Sequence, residues 1–393
     1  MSTLLAKNVP IARPSFGEAE ERAVVEVLRS GWVSQGPRVA DFERRFARYV
    51  GAREAVAVSS CTTALHLALV AAGVRRGDDI LCPSLSFIAT ANAIVYAGAK
   101  PVFVDIEPST FNIDSSRIES SITPRTKAIL VVHQIGLPCA LREISEIASR
   151  HGLIVVEDAA CAIGSEYEGK RIGSPYSSMA CFSFHPRKIL TTGEGGMITT
   201  SDSEAAARMR RLRQHSMNVS DLARHGATQV VFESYDEVGY NYRMTDLQAG
   251  IGLVQLERLP EMLTRRRMLA LRYSERLSTI PWLVVPSESE GCRHNFQSYM
   301  VRLQSNAPVT RDQLMQELLS RGVASRRGIM AIHREVPYRD GAWEPRLPVT
   351  NMVTDTSLVL PLFFEMTEEE QDYVVHCLEE IGDQRGLGRR LRS

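Results

Sequence analysis

A lysine and a carboxylate each follow a short apolar run of this chain, and their residue types suit one kind of chemistry. Lys188 comes after the run Met179–Phe184 and before the glycine-rich turn Gly193–Gly196, and Asp158 ends the run Ile154–Glu157. A lysine amine can hold an aldehyde as a Schiff base, and a carboxylate can keep a pyridine nitrogen protonated so that the ring accepts electrons. The two residues therefore predict pyridoxal phosphate (PLP) chemistry, with Lys188 and Asp158 as the catalytic pair.

Both residues also have an ordinary structural interpretation. A loop lysine is usually a solvated surface residue, and an aspartate commonly caps the start of a helix. The glycine-rich turn favours function for Lys188, because it allows close packing around the side chain. An acid at the end of an apolar strand is costly unless it is paired, which favours a cationic partner for Asp158. Glu157 is expected to point to the opposite side of the same strand.

The elements around these residues predict an α/β fold. Helical and strand patterns alternate over roughly the first 260 residues, which is typical of a mostly parallel sheet with helices on both faces. The expected strands are Glu54–Val58, Asp79–Cys82, Pro101–Val104, Ala128–Val132, Ile154–Glu157, Met179–Phe184 and Gly196–Thr200. Such sheets bind ligands at the ends of their strands. Cys61, Asp158 and Lys188 all fall at strand ends.

A second, smaller domain is expected after a long helical segment. Residues 245–279 predict one or two helices, interrupted at Pro260. A strand at 297–303 and helices at 311–321 and 368–381 then predict a small α+β domain. The expected boundaries are 1–260 for the large domain, whose N-terminal segment could pack on the small one, and 261–384 for the small domain, with a disordered tail at 385–393.

Composition argues against several classes of protein. The 393 residues suffice for two domains, and the 46 basic and 46 acidic residues cancel, which argues against a nucleic-acid or membrane surface. No apolar run is long enough to span a bilayer, and the N-terminus has no apolar signal segment. Seven scattered cysteines lack metal-ligand spacing. These features predict a cytoplasmic protein with reduced thiols and no metal site.

Segments spread over most of the chain resemble the DegT/DnrJ/EryC1/StrS family of PLP-dependent sugar aminotransferases. They are Ser30–Pro37, Ser59–His66, Phe87–Asn92, Pro101–Asp105, Glu157–Ala160, Cys181–Gly196 and Gly239–Gln248. Because the segments occur in the order of the family, chance agreement is implausible. The resemblance implies the aspartate aminotransferase fold (type I), with a seven-stranded, mostly parallel sheet in the large domain and a small C-terminal α+β domain.

The resemblance places one turn at the cofactor phosphate. Ser60-Cys-Thr-Thr63 is similar to the family's Ser-Gly-Thr-Ala turn, which implies phosphate contacts from Cys61, Thr62 and Thr63. A helix N-terminus is also a ready anion site, and a simple Ser/Thr helix cap is compatible with that role. Cys61 replaces the family's glycine, so it would be strained if the turn needs a backbone angle that only glycine adopts.

Three further residues are assigned to the cofactor by the resemblance. Ser183 resembles a phosphate-binding serine, with a small strand residue between aromatics as the alternative. Phe87 resembles the aromatic residue that stacks on the pyridine ring, with a core phenylalanine as the alternative. Cys161 stands where the family has Gln or His near the ring hydroxyl, and a thiol is a poor donor and acceptor. It either changes cofactor binding or acts as a small buried hydrophobe.

One asparagine carries the expectation of a homodimer. In the family, the residue at Asn241 reaches the phosphate of the neighbouring subunit, which implies active sites shared between two chains. Arg243 is a candidate for the partner's substrate carboxylate. An ordinary turn asparagine is the alternative.

The resemblance also suggests substrate contacts. Trp32 and Ser34 match a segment that lines the family's sugar pocket, and His333 matches a C-terminal histidine near the substrate. His133 follows a predicted strand and so lies at the ligand edge. For each histidine alone, a structural role is the more common one.

The resemblance implies a ping-pong transaminase that moves an amino group from glutamate or glutamine to a keto-sugar, nucleotide-linked in the leading hypothesis. A cyclitol or another biosynthetic ketone is the alternative acceptor. A PLP-dependent sugar dehydratase is disfavoured, because those relatives carry histidine where Lys188 stands. A non-catalytic regulatory homologue is disfavoured because Lys188, Asp158, Ser183 and Asn241 are all retained.

Overall fold

The computed structural model describes residues 8–174, 176–219, 224, 228–230, 232–339 and 346–390. Its strands, in chain order, are β1 (Glu54–Val58), β2 (Asp79–Pro83), β3 (Lys100–Val104), β4 (Thr126–Val132), β5 (Ile154–Asp158), β6 (Glu166–Tyr167), β7 (Lys170–Arg171), β8 (Met179–Ser183), β9 (Gly196–Thr200), β10 (Leu283–Val284), β11 (Cys292–Arg293), β12 (Tyr299–Leu303), β13 (Arg326–Arg327) and β14 (Ser357–Leu360). Its α-helices are Glu18–Ser30, Pro37–Val50, Cys61–Ala71, Ala89–Tyr96, Ser115–Ile118, Leu141–Arg150, Ser203–Leu212, Asp246–Leu277, Arg311–Ser320, Pro348–Thr356 and Glu368–Arg390.

The central sheet has seven strands in the order β1-β9-β8-β5-β4-β2-β3. The pairs β2–β3, β2–β4, β4–β5 and β5–β8 are parallel, whereas β9 is antiparallel to both of its neighbours. Because β9 is antiparallel to β8, the connection between these two strands lies at the edge of the sheet where β5 and β8 end. The predicted α/β fold with a mostly parallel sheet is confirmed.

Helices cover both faces of this sheet, which explains the continuous apolar runs of its central strands. In β4, Ile129 and Val131 pack in one core cluster, and Leu130 and Val132 pack in the cluster on the other face. Full burial of a side chain of this kind contributes about 1.5–3 kcal/mol to folding. The site-bearing strand ends thus project from a scaffold that is fixed on both sides.

Pro260 does not interrupt the long helix Asp246–Leu277, so the predicted break there is wrong. The helix begins with a capping box between Thr245 and Gln248. Leu259 is buried in the core of the large sheet and Tyr273 in the core of the second sheet. Packing at both ends outweighs the cost of an internal proline, about 3 kcal/mol. One helix therefore connects the two cores.

The second core surrounds a four-stranded antiparallel sheet in the order β10-β12-β14-β13. Val9 is buried in this core and pairs with Val323, so the N-terminal segment packs on the C-terminal unit. A third sheet, β11-β6-β7, was not expected. The last helix continues to Arg390, which differs from the disordered tail expected from residue 385, and residues 391–393 lie outside the described part of the chain.

Two features are absent from the described residues. No helix in these ranges has the length and apolar character needed to cross a membrane. No group of three or more His, Cys, Asp or Glu in the same part of the chain is arranged to hold a metal ion.

Candidate active site

Four chain segments that carry predicted cofactor residues meet at one edge of the central sheet. Asp158 pairs with Cys181 across β5 and β8, and Gly196 lies opposite both Val58 and Ser183. This register places the ends of β1, β5 and β8 beside the start of β9. A cavity of about 520 Å³ opens there, within the range of small-molecule sites.

Most of the predicted cofactor residues line this cavity. They are Cys61, Thr62, Phe87, Asp158, Cys161, Ser183 and Lys188. Thr63 and Asn241 are not among its lining residues, and of the predicted substrate contacts only His133 is. The structure thus brings together residues that lie far apart in the sequence.

The turn expected at the phosphate is a capped helix N-terminus. The N–H of Thr63 donates to Ser60 Oγ at 3.2 Å, and Thr63 Oγ1 accepts from the N–H of Ser60 at 3.1 Å and donates to its carbonyl at 2.8 Å. Thr63 therefore caps the helix instead of facing the cavity. The first N–H groups of a helix lack intrahelical partners, and Cys61 and Thr62, which carry two of them, border the cavity.

Cys61 is accommodated in this turn without strain. It is the first residue of its helix and is not among the non-glycine residues with positive φ. The glycine that the turn needs is Gly196, where an added Cβ would lie 2.5 Å from the carbonyl of Ser60. Burial, with the nearby Asp158, raises the pKa of the Cys61 thiol, so it stays neutral and does not repel an anion.

Lys188 lies in the connection from β8 to β9, with its amine directed at a thiol. Nζ donates to Cys161 Sγ at 3.1 Å. Burial lowers the pKa of Lys188, but interactions with Cys161, Cys61 and Asp158 outweigh it, and the pKa is raised. An amine must be neutral to attack an aldehyde. A cation bound beside Asp158 would cancel one of the charges that keep Lys188 protonated.

Asp158 is a buried carboxylate whose hydrogen bonds come from neutral groups. Thr90 Oγ1 donates to Oδ2 at 2.8 Å, and the N–H of Ala160 donates to Oδ1 at 3.1 Å. The side chain is 6% exposed, and burial raises its pKa despite these bonds and the nearby Lys188. A protonated pyridine nitrogen would supply the missing positive charge. The residues present therefore fit PLP at this position.

Cys161 is more than a small hydrophobe. Its sulfur accepts the bond from Lys188, and its carbonyl accepts from Asn295 Nδ2 at 2.8 Å. The thiol therefore lies beside the reactive amine, where the resemblance led us to expect Gln or His.

Phe87 and Ser183 differ in how they border the cavity. Phe87 is 65% exposed, so its interpretation as a core residue is wrong, and its ring is free to stack on a ligand. Ser183 is half-buried between the buried Phe182 and Phe184, and its hydroxyl accepts from the N–H of His185 at 3.4 Å.

His133 lies in a buried hydrogen-bonded pair, and its expected contact with substrate stays a prediction. The residue is 0% exposed, and its Nδ1 accepts from the N–H of Cys139 at 3.0 Å. This bond assigns the proton to Nε2, which donates to Glu157 Oε2 at 2.7 Å. Both ring nitrogens are occupied. Asp158 borders the cavity and Glu157 does not, as strand alternation predicts.

The other predicted substrate residues lie outside this cavity. His333 is buried with Nδ1 2.7 Å from Ser84 Oγ. The carbonyl of Ser34, two residues after Trp32, accepts from the N–H of Asp246 at 2.8 Å. Asn241 is exposed and Arg243 is half-buried.

A clamp from the small domain was missed by sequence reasoning. Gln297 Nε2 donates to the carbonyl of Arg187 at 2.8 Å, and its Oε1 accepts from the N–H of Ile189 at 3.1 Å, so one carboxamide holds both neighbours of Lys188. Asn295 Oδ1 accepts from the N–H of Gln297 at 2.8 Å. Because Asn295 also binds the carbonyl of Cys161, the clamp joins both segments around the reactive amine.

The backbone of this clamp is itself held in place. Phe296 has a φ of 51°, which is uncommon for a bulky residue. The buried Arg266 donates to the carbonyls of Phe296 at 3.0 Å and Gln297 at 2.8 Å. No sequence motif predicts the clamp, because Asn295 and Gln297 bind backbone groups of distant segments.

Comparison with known proteins agrees with this site. The profile of the DegT/DnrJ/EryC1/StrS aminotransferase family matches residues 14–379. GDP-perosamine synthase from Caulobacter vibrioides is 41% identical over 376 residues, covering 95% of this chain and 98% of the relative. The spore coat polysaccharide biosynthesis protein SpsC of Bacillus subtilis is 39% identical, with 95% and 97% covered.

Solved structures extend the likeness to three dimensions. The aminotransferase TlmJ from Streptoalloteichus hindustanus has a TM-score of 0.87 at 34% identity, with 98% of this chain and all of that chain covered. The PLP form of the putative sugar aminotransferase Spr1654 from Streptococcus pneumoniae has a TM-score of 0.90 at 28% identity, with 96% of this chain and all of that chain covered. With its lysine, its buried acid and its capped helix at one sheet edge, this chain belongs to the DegT/DnrJ/EryC1/StrS aminotransferase family and is a PLP-dependent enzyme.

Proposed function

We propose that this enzyme moves an amino group from glutamate or glutamine to a keto-sugar that is linked to a nucleotide. The observation that carries the proposal is the meeting of Lys188 and Asp158 in one cavity at the sheet edge. A relative named GDP-perosamine synthase, 41% identical over nearly the whole chain, supports a nucleotide-linked sugar as the acceptor.

The catalytic roles follow from the contacts of the two residues. When bound, PLP supplies a ring that takes up the electron pair left on a deprotonated substrate carbon. Asp158 keeps a proton on the ring nitrogen, because its buried carboxylate has only neutral donors otherwise. The Lys188 amine would remove the proton from the substrate carbon and return it to the aldehyde carbon of the cofactor, as both base and acid.

Other residues of the cavity bind and orient the cofactor. Cys61, Thr62 and Ser183 would hold the phosphate, the first two through their N–H groups, and Phe87 would stack on the ring. Donor and acceptor enter the same cavity in turn, which is the structural basis of a ping-pong reaction. A cytoplasmic location is part of the proposal, because all seven cysteines are free thiols.

Purified enzyme should lose the visible absorbance of bound PLP when L-glutamate or L-glutamine is added. It should regain that absorbance with nucleoside-diphosphate keto-sugars and fail to do so with a cyclitol ketone. Recovery with the cyclitol alone would move the proposal to the alternative acceptor. No spectral change with any amino donor would refute transamination.

We also propose that two chains share each site. Asn241, Arg243, Trp32 and Ser34 do not line the cavity of their own chain, and Asn241 is exposed. In a two-fold dimer, Asn241 would reach the partner's phosphate. Mixing inactive Lys188→Ala and Asn241→Ala chains should restore activity, because one site of the heterodimer receives both defects and the other none. No complementation after proven subunit exchange would exclude shared sites.

A further inference from the structure

One wall of the cavity carries an unusual concentration of positive charge. His185 and Arg187 come from the connection that holds Lys188, and Arg326 and Arg327 form β13 of the small domain. All four line the cavity, and the three arginines are exposed. The wall thus combines arginines from two structural units at one opening.

Two of these three guanidinium groups lack a carboxylate partner in the described ranges of the chain. Within those ranges, no carboxylate oxygen lies within 4.0 Å of the guanidinium of Arg187 or Arg326. Arg327 reaches Glu335 only at 3.9 Å. Most cationic side chains that border a cleft without a partner raise the local concentration of anions.

The cations are also close enough to oppose one another. Burial lowers the pKa of Arg187, and the charge of Arg326 lowers it further. Burial lowers the pKa of His185 in the same way, with Arg187, Lys188 and Arg326 adding to the effect while Glu194 opposes it. Like charges held together in this way are stabilised when an anion binds between them.

The backbones that carry these arginines are fixed. The carbonyl of Arg187 accepts the 2.8 Å bond from Gln297. Arg326 pairs with Val359 in β13–β14, and the N–H of Gly328 donates to the carbonyl of Ser357 at 2.9 Å. An arginine fork fits the oxygens of a phosphate or a carboxylate in two parallel hydrogen bonds.

We propose that Arg187, Arg326 and Arg327 form an oxyanion subsite that holds the anionic group of the substrate away from the reacting carbon. The inference rests on the proposed function, in which both substrates carry such a group. The group is the diphosphate of the nucleotide-linked acceptor or a carboxylate of the amino donor. Three guanidinium groups exceed what one carboxylate needs, which favours the diphosphate.

The test uses the holoenzyme and two separate measurements. Calorimetric titration with GDP and with pyrophosphate measures diphosphate binding, and the rate of PLP absorbance loss against L-glutamate concentration measures donor binding. The variants are Arg187→Gln and Arg326→Gln, with Arg150→Gln as the control. Arg150 is an exposed arginine paired with Glu119 on the surface, remote from the cavity lining.

Each cavity variant should raise the Kd for GDP and pyrophosphate by roughly tenfold or more, because a charge-assisted bond is lost. The wild-type affinity should fall with added salt, and Arg326→Lys should retain part of it. If the half-saturating concentration of glutamate rises instead, the subsite serves the donor carboxylate. Values within twofold of the Arg150→Gln control in both measurements would overturn the subsite.

Failure of the subsite and failure of the proposed function give different results. GDP and pyrophosphate binding need no turnover, so the first measurement stands even if no acceptor is converted. If the wild-type enzyme reacts with no amino donor, transamination is refuted but the oxyanion subsite is not. Thermal unfolding and the PLP spectrum of each variant confirm that it is folded and loaded.

Discussion

The two sides of the cavity are built in different ways. The floor consists of strand ends of the large sheet, where Ser60–Thr62, Asp158, Ser183 and Lys188 follow short apolar runs. The wall includes residues of the small domain. Asn295 and Gln297 bind segments that lie 134 and 110 residues away in the chain, and the arginines of β13 line the same cavity. The floor supplies the reactive groups, and the wall determines where they are held and which charge approaches them.

The floor and the wall also differ in the kinds of contact that they make. Residues of the floor make hydrogen bonds within the large domain, such as those of Asp158 with Thr90 and Ala160. The wall contacts the floor mainly through backbone groups on either side of Lys188. Substitutions in the floor should therefore abolish transamination. Substitutions in the wall should weaken the binding of PLP and substrate and the alignment of Lys188.

The largest effect is expected for Lys188→Ala on the floor. The variant should lose nearly all transamination, since no other cavity amine is positioned to act as base and acid. Its visible PLP spectrum should also be lost. Borohydride reduction of the wild type followed by peptide mapping should place the cofactor on Lys188, and label on a different lysine would contradict the assignment.

Asp158→Asn should slow turnover on the order of 100-fold and weaken PLP binding, because the ring nitrogen loses its anionic partner. Stability of the cofactor-free protein should change in the opposite direction. Burial raises the pKa of Asp158 above its unfolded value, so the ionised carboxylate opposes folding at neutral pH, and this penalty disappears as the pH falls through the folded pKa.

The asparagine variant should therefore melt at a higher temperature than the wild type at neutral pH when both lack PLP. The difference should shrink in acid. Melting curves of the two cofactor-free proteins across pH measure this directly, and a variant that is less stable at neutral pH would show that Asp158 is not an electrostatic burden on the empty fold.

On the wall, Gln297→Leu should weaken PLP binding while leaving the large-domain core intact. The carbonyl of Arg187 and the N–H of Ile189 lose their partner, at a cost of about 1–3 kcal/mol if they stay buried. The pH at which the visible PLP spectrum changes should also shift. Gln304→Leu is the matched control, since the exposed side chain of Gln304 donates to the carbonyl of Pro281 at 3.3 Å and lies outside the cavity. Equal spectra for the two variants would show that Gln297 contributes no more to PLP binding than an ordinary packing residue does.

The smallest effect is expected for Cys161→Gln at the boundary of floor and wall. The side chain borders an open cavity, so glutamine should be accepted with little loss of stability and should tighten PLP binding. Cys181→Gln is the control, because Cys181 is fully buried and overpacking typically costs about 1–3 kcal/mol. A similar fall in melting temperature for both variants, with loss of cofactor from Cys161→Gln, would refute this expectation.

Predictions from the sequence succeeded where neighbours in the chain decide the structure. The strands and the Ser60 turn follow from apolar runs and capping residues, and the family motif located Lys188 and Asp158. The partners of His133 were not predicted, because its place at a strand end says nothing about Glu157 and Cys139, which occupy its two nitrogens. Pro260 was misjudged because packing of Leu259 and Tyr273 in two cores outweighs a local helix breaker.

The sequence by itself determined the order of the elements and singled out Lys188 and Asp158 as the proposed catalytic pair, since alternating apolar runs and short motifs are local signals. Only the tertiary structure decided that Thr63 caps a helix, that Cys161 receives the Lys188 amine and that Gln297 holds both neighbours of that lysine. Those outcomes depend on distances between segments from different parts of the chain. Burial and backbone hydrogen bonding, which fix such distances, are properties of the packed fold.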